Sequence, residues 1–207
     1  MQATTRRIFW QDVVQRVILA SALCIFVWRA YRHFRVSHEP SLLLLLVAET
    51  LTVVLVLIAR PPAQQDKRPY AIALTMVGTF YFLLVRLDPG LPLVPRVVGV
   101  IIQSLGICLQ ISGKLWLGRR FGLLPANRGI VTTGPYGAIR HPIYAGYFLN
   151  HLGFLAGSFS LRNALLYALL YAVQIGRILE EERLLRQDSE YEAYTQKVRY
   201  RLVPPVF

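Results

Sequence analysis

The sequence predicts an all-α fold, an integral membrane bundle of five to six transmembrane helices with a C-terminal cytoplasmic amphipathic helix. Three observations predict it. The 207 residues are 55% hydrophobic and 16% charged, whereas a soluble chain carries roughly a quarter charged residues. Mean hydropathy is +0.44. The apolar residues also run in long blocks, and a helix needs about 20 largely apolar residues to cross the hydrocarbon.

The blocks are taken in chain order. Residues 13–28 form the weakest one, because Arg16 sits inside it. Ala20-Ser21-Ala22 looks like a leader-cleavage site, but only Val17 to Leu19 separate it from Arg16. That is too short for the apolar part of a signal, so an uncleaved anchor is expected. Residues 41–59 carry one charge, Glu49; residues 70–85 are slightly short; residues 97–117 are long enough; residues 143–159 and 164–179 complete the set. Residues 60–69 and 88–95 are rich in Pro and polar residues and read as surface connections. Beyond 179, Leu184, Tyr191, Tyr194 and Val198 recur at helical spacing among charges, which predicts the amphipathic helix. Pro204 and Pro205 then stop any helix, so the tail from Val198 is expected as an extended strip. The chain reads as one membrane domain over 1–207, with scaffold spans in 1–116 and the unusual polar residues in 117–207.

The charge of +12 comes from 23 basic and 11 acidic residues. The basic residues gather at block ends, so the expected partner is the lipid bilayer with its anionic head groups, not nucleic acid. With the N-terminus inside, the inner segments hold Arg6 and Arg7, then Arg60, Lys67 and Arg68, then Arg119, Arg120, Arg128 and Arg140. The outer loops carry Arg32 and Arg35, then Arg96, then Arg162. This bias places both termini in the cytoplasm. Cys24 and Cys108 fall inside predicted spans without metal-ligand spacing or a disulfide pattern, and are expected as inert packing residues.

Residues 134–146 have a readable mechanics. Gly134-Pro135 makes a turn, Pro142 suits the first helical position, and His141 falls at the cap with Arg140 before it. Two readings stand: a seat for a carboxylate or phosphate at the positive helix end, or an interfacial Arg-His anchor. Gly146, Asn150, Gly153 and Gly157 share one face, which suits close helix packing with Asn150 bonding across it. His151 lies off that face, either lining a substrate cavity or held as a structural histidine. Gln174, Arg177 and Glu181 share a face of the next helix. An Arg177–Glu181 ion pair is one reading, although Arg before Glu is the weaker order. The other gives Arg177 an anionic ligand and Glu181 a cationic or hydroxyl one.

Together these residues resemble the isoprenylcysteine carboxyl methyltransferase family and its prokaryotic members. The matching pieces are Gly129-Ile130-Val131, Gly134-Pro135-Tyr136, Arg140-His141-Pro142 with Tyr144 and Gly146, and Arg177 with Glu180-Glu181-Glu182. Tyr191 and Tyr194 follow, and Val198 to Leu202 precede Pro204. The likeness covers roughly 117–207, and Arg128 stands where eukaryotic members have a histidine. It implies methyl transfer from S-adenosylmethionine in a cytoplasm-facing pocket. Ile130, Val131, Tyr136, His141, Pro142, Ile143, Tyr144 and Glu181 would contact that cofactor. Arg177 would be the substrate-binding arginine on which catalysis rests, with Asn150 and His151 on the substrate side. No Gly-x-Gly fingerprint of a dinucleotide-type fold is present. The start of the helix at His141-Pro142 suits the cofactor's carboxylate, Glu181 its ammonium or ribose, and Tyr136 and Tyr144 its adenine or sulfonium.

The expected acceptor is a lipophilic small molecule or prenylated chain, methylated on a carboxylate that is already ionised and needs no base. The absence of a Ser-His-Asp set agrees with that. A phospholipid N- or thiol S-methyltransferase is the alternative, with Glu181 or a tyrosine as base. A sterol-type reductase comes next, and a transporter or scaffold with Glu49, His151 and Arg177 along its path last. All functional readings need residues 140–144 and 177–181 to meet around one cavity.

Overall fold

The computed structural model describes residues 2–38, 40–66, 68–86, 90–205 and 207, with side chains from residue 16 onward except 19, 37, 40 and 41. Lys67, Asp88 and Pro89, named above in the inner charge count and the second surface connection, lie outside the described residues.

Each apolar block is largely helical. The described residues form α1 (Gln2–Ser37), α2 (Pro40–Ile58), α3 (Pro69–Phe80), α4 (Arg96–Leu117), α5 (Pro142–Gly157), α6 (Leu161–Leu185) and α7 (Ser189–Lys197). The third block is not one α-helix. After Phe80 the chain tightens into a 3-10 turn, Tyr81–Leu84, which buries Phe82 and turns Tyr81 inward. Two helical segments, Arg16–Val36 and Arg96–Arg120, are long and apolar enough to cross a membrane, and Leu42–Ile58 and Pro69–Leu84 are shorter apolar helices.

Polarity runs inside out. Val17, Ile25, Trp28, Leu57, Val97, Leu105, Leu165 and Leu169 face outward, while Glu49, Gln110, Lys114, Asn163, Gln174 and Arg177 are buried. A bundle immersed in hydrocarbon gains nothing by hiding leucines and must hide its polar groups instead. The two cysteines are free, and both lie on the exposed surface of their helices rather than in packed positions. The packing role expected of them is therefore not the one they have.

α4 and α5 form the most intimate pair in the bundle. Gly99, Gly106 and Gly113 recur every seven residues on α4 and meet Gly157, Gly146 and Ile143 of the antiparallel α5. A Cβ on Gly106 would stand 2.5 Å from the backbone nitrogen of Asn150, and one on Gly146 would stand 2.6 Å from the carbonyl oxygen of Gly106. Small residues at this spacing let backbones touch where apolar solvent supplies no drive to associate. The small face expected on α5 is thus real, and its partner is α4.

At the tail end of the bundle the segment after α2 lies along the segment after α4. Arg60 N–H donates to the Arg119 carbonyl (2.7 Å), Ala63 to Asn127 (2.9 Å) and Asp66 to Pro125 (3.0 Å). Two short strands, β1 (Gln64–Gln65) and β2 (Ala126–Asn127), pair antiparallel with Gln64 opposite Asn127. This scrap of sheet departs from the all-α expectation, because two extended segments meeting side by side satisfy each other's backbone groups. The strip after α7 is extended only at its start, where Arg140 N–H donates to the Tyr200 carbonyl and His141 N–H to the Arg201 carbonyl, both at 2.9 Å; it then turns back, with Val203 and Phe207 bonding each other. At the opposite end Asn163 accepts from Arg86 N–H (3.2 Å) and donates to the Arg86 carbonyl (2.8 Å), tying α6 to the segment after the 3-10 turn.

Candidate functional site

Pro142 opens α5 at its first position, with His141 as cap, so Arg140 and His141 are thrown toward the last turns of α6. There Glu182, 2% exposed, gathers them. Arg140 Nε donates to its Oε1 at 2.8 Å, and His141 Nε2 lies 3.1 Å from the same oxygen. Arg201 Nε, from the tail, donates to Oε2 at 3.0 Å. The other arm of Arg140 donates to the carbonyls of Val198 and Arg199, each at 2.9 Å. Burial alone would raise the Glu182 pKa, but the hydrogen bonds from His141 and Arg140 outweigh it and hold the carboxyl down at about 2. At neutral pH Glu182 is an anion that fastens α5, α6 and the tail.

Beneath this knot lies a cavity of about 230 Å³. Its tail-side end is walled by Ile130, Val131, Tyr136, His141, Ile143, Tyr144, Glu181, Tyr191 and Tyr194. Elsewhere it is walled by Leu23, Phe26, Leu45, Phe82 and Phe154 together with the polar Arg29, Glu49, Thr52 and Gln103. The first three helices, read above as scaffold, therefore supply part of the wall. Of the residues expected at the cofactor, all but Pro142 line this space. Pro142 is fully buried, and its part is to fix the helix start.

The meeting of the two segments is direct. Tyr144 Oη donates to Glu181 Oε2 at 3.2 Å, and the Arg177 guanidinium lies 5.6 Å above the Tyr144 ring. Arg177 and Glu181 do not form the ion pair that their spacing allowed. Arg177 instead donates from one Nη to Gln174 Oε1 (3.0 Å) and from the other to the Leu123 carbonyl (3.1 Å). Its Nε is buried and has no hydrogen-bond partner. Room for the side chain comes from Gly78 on α3, where a Cβ would sit 2.8 Å from Arg177 Cδ.

The tail-side wall is braced by tyrosines. Tyr136 donates to the Gly113 carbonyl (3.3 Å) and Tyr194 to the Tyr136 carbonyl (2.6 Å), while Ile130 packs on Tyr191, Tyr194 and Val198. Burial pushes the Tyr136 and Tyr191 phenols up, and that of Tyr194 to about 12. At neutral pH all three are therefore O–H donors. The Tyr191 hydroxyl is buried without a partner at the cavity wall. The helix start offers less than expected, because His141 N–H is already taken by Arg201 and Pro142 has none. The first turn leaves Ile143 and Tyr144 N–H, which have no intrahelical acceptor.

Deeper along α5, Asn150 and His151 also reach the cavity. His151 is held from both sides, with Tyr81 Oη 2.7 Å from Nε2 and Tyr171 Oη 2.5 Å from Nδ1, and it stacks on Tyr167 at 4.3 Å between centroids. It is a hydrogen-bonded structural histidine whose edge faces the cavity.

Sequence reasoning missed Glu182 as the hub, Gly78, and the pairing of Glu49 with Lys114. For Glu182 a signal existed: two basic residues before a helix start need a buried anion, and three glutamates stood in line. Nothing local marked Gly78.

Residues 97–187 match the model of the Isoprenylcysteine carboxyl methyltransferase (ICMT) family. The chain is 30% identical over 98 residues to the nickel-cobalt-cadmium resistance protein NccN of Alcaligenes xylosoxydans xylosoxydans, covering 46% of each chain. It is 32% identical over 100 residues to the cobalt-zinc-cadmium resistance protein CzcN of Cupriavidus metallidurans, covering 45% of this chain and 44% of the relative. The match thus spans a little under half the length of these relatives. Among the described residues no group of three His, Cys, Asp or Glu side chains is placed to hold a metal ion.

Proposed function

We propose that this protein, whose residues 97–187 match the model of the isoprenylcysteine carboxyl methyltransferase family, is a membrane methyltransferase that uses S-adenosylmethionine and methylates the carboxylate of a lipophilic acceptor. In this reading five to six of its helices cross the bilayer, and both ends lie in the cytoplasm. One observation carries the reading: the α5 start and the α6 end converge on a single cavity, with Tyr144 bonded to Glu181 and Arg177 over the Tyr144 ring.

The residues fit such a cofactor. Unpaired Arg177 Nε and Tyr191 Oη are buried polar atoms of the kind a ligand satisfies. Ile143 and Tyr144 N–H with the helix dipole would hold the cofactor's carboxylate, Glu181 its ammonium or ribose, and Ile130, Val131 and Tyr136 its adenine. When bound, the cofactor supplies an electrophilic methyl on a cationic sulfur. Tyr144, fixed between Glu181 and Arg177, would present its ring to that cation. Arg177 would draw the acceptor carboxylate into line, with its Nε as the donor not used by the fold. Asn150 and His151 would border the acceptor's tail. The carboxylate arrives ionised, so the chain supplies position and a dry site rather than a base; such alignment is worth about 7–11 kcal/mol.

The test uses labelled S-adenosylmethionine with the full chain in detergent and three acceptor panels: prenylcysteine analogues, phosphatidylethanolamine and small thiols. Label in the base-labile ester of the first panel is the expected result. Label only in amine or thiol products, with a rate rising steeply through the acceptor's pKa, would replace carboxyl with N- or S-methylation. No binding of the cofactor would end the methyltransferase reading.

A further inference from the structure

The end of α2 gathers positive charge from three separate parts of the chain. Arg119, just past α4, donates through Nε to the Ile58 carbonyl at 3.2 Å. Arg16 of α1 donates to the Ala59 carbonyl at 2.6 Å, and Arg128, just past β2, donates through Nε to the Arg60 carbonyl at 3.1 Å. Open carbonyls at a helix end attract cations, but the whole end is worth only about half a negative charge. Arg60 and Arg120 add two more cations, and both are exposed, as Arg119 is.

Elsewhere at this end the fold answers its cations with carboxylates. Arg68 has Asp66 and Glu180, and Arg186 has Glu192. Among the described residues no carboxylate lies within ion-pair distance of Arg60, Arg119 or Arg120. Arg60 and Arg119 are held side by side, since the Arg60 N–H donates to the Arg119 carbonyl at 2.7 Å. Arg119 bonds the fold through Nε alone, which points its Nη fork outward, and that fork matches the oxygens of a phosphate.

The surroundings indicate which phosphate. Leu57 and Ile58 in the last turn of α2, and Leu115 and Trp116 in the last turn of α4, are exposed, and the two helices pack together. An anion seated on the arginines therefore has a strip of apolar side chains directly beside it. Inorganic phosphate gains nothing from such a strip, whereas a diacyl lipid lays its chains along it. Basic pockets between helix ends at a membrane surface suit anionic head groups for this reason.

We propose that the paired ends of α2 and α4 form a binding site for one anionic phospholipid. Its phosphate sits on Arg60 and Arg119, within the field of Arg120, and its chains run along Leu57, Ile58 and Leu115. The site stands apart from the methyl-transfer reading. It also adjoins the cavity, because the stretch that begins at Arg119 carries the Leu123 carbonyl to which Arg177 donates.

The experiment places the full-length protein in nanodiscs of equal parts phosphatidylglycerol and phosphatidylcholine with the same chains, and weighs the lipid retained on release by native mass spectrometry. The wild type is expected to retain phosphatidylglycerol in preference, and Arg60→Gln/Arg119→Gln to cut that preference on the order of tenfold. Arg32→Gln/Arg35→Gln removes as much charge at the other end of α1 and should leave it unchanged. In detergent, added dioctanoyl phosphatidylglycerol should raise the Tm of the wild type and not that of the Arg60/Arg119 variant. If the double variant does not fold, Arg60→Glu, at a side chain exposed to solvent, is read in the same way. Equal retention of the two lipids by the wild type, a preference that survives at Arg60 and Arg119, or one lost equally at Arg32 and Arg35 overturns the proposal. Displacement of the lipid by an equal concentration of inorganic phosphate overturns it too, by assigning the arginines to a free anion.

Discussion

Two arginines lie within the same few turns of this bundle and are buried to nearly the same degree, Arg140 at 6% and Arg177 at 7% exposure. Around Arg140 everything is matched: a carboxylate, two carbonyls of the tail, and a second basic group sharing the same anion. Around Arg177 there is no carboxylate partner, only an amide, one carbonyl and the face of a ring, and Nε is left over. A buried cation without an anion is costly unless something outside the fold completes it. On the reading proposed above, the contrast separates an arginine that holds the structure from one that waits for a ligand, and it can be broken at each side.

The largest effect should come from the matched side. Glu182→Gln leaves Arg140 without its anion and is expected to cost about 3–5 kcal/mol of stability, read from denaturant unfolding in detergent. The same carboxylate gives a pH signature. Its folded pKa of about 2 lies below its ordinary value of 4.5, so its stabilisation is complete above about pH 4.5 and is lost as the pH falls from there toward 2. The wild type should show this loss, and Glu182→Gln should not. On the other side, Arg177→Ala should reduce turnover on the order of 100-fold while stability and cofactor affinity hold; equal unfolding of both variants would erase the distinction. Smaller again is Gly78→Ala, whose methyl would press on Arg177 Cδ. Displacing that guanidinium without deleting it should cost about tenfold in kcat/KM, with little change in the unfolding midpoint.

Much of this was legible beforehand because membrane chains write their architecture in long blocks. Each predicted block is largely helical, and Pro142 marked the start of α5 at its first residue. The small face on α5 was readable from Gly146, Asn150, Gly153 and Gly157, since a spacing of three and four is a local property. Its counterpart, Gly99, Gly106 and Gly113 on α4, has a period of seven and was passed over as part of an apolar run. What stayed hidden depended on contacts distant in sequence. Arg177 and Glu181 sit where an ion pair is sterically allowed, and only the placement of Tyr144 and Gln174 decides against it. Glu182 and Glu181 differ by one residue, yet a rotation of about 100° along the helix sends one to the knot and the other to the cavity. Pairing of the stretches after α2 and α4 joins residues more than 60 apart, beyond any periodicity.

The strip after α7 gives the arrangement an order in time. Arg140 and His141 hand their amide protons to the carbonyls of Tyr200 and Arg201, and Glu182 receives its last cation from Arg201. A ribosome feeding this chain into a bilayer from its N-terminus therefore delivers α5 and α6 well before the piece that locks them together. Until those residues emerge, the knot above the cavity has no lock, and the newborn protein must wait with its pocket unlatched.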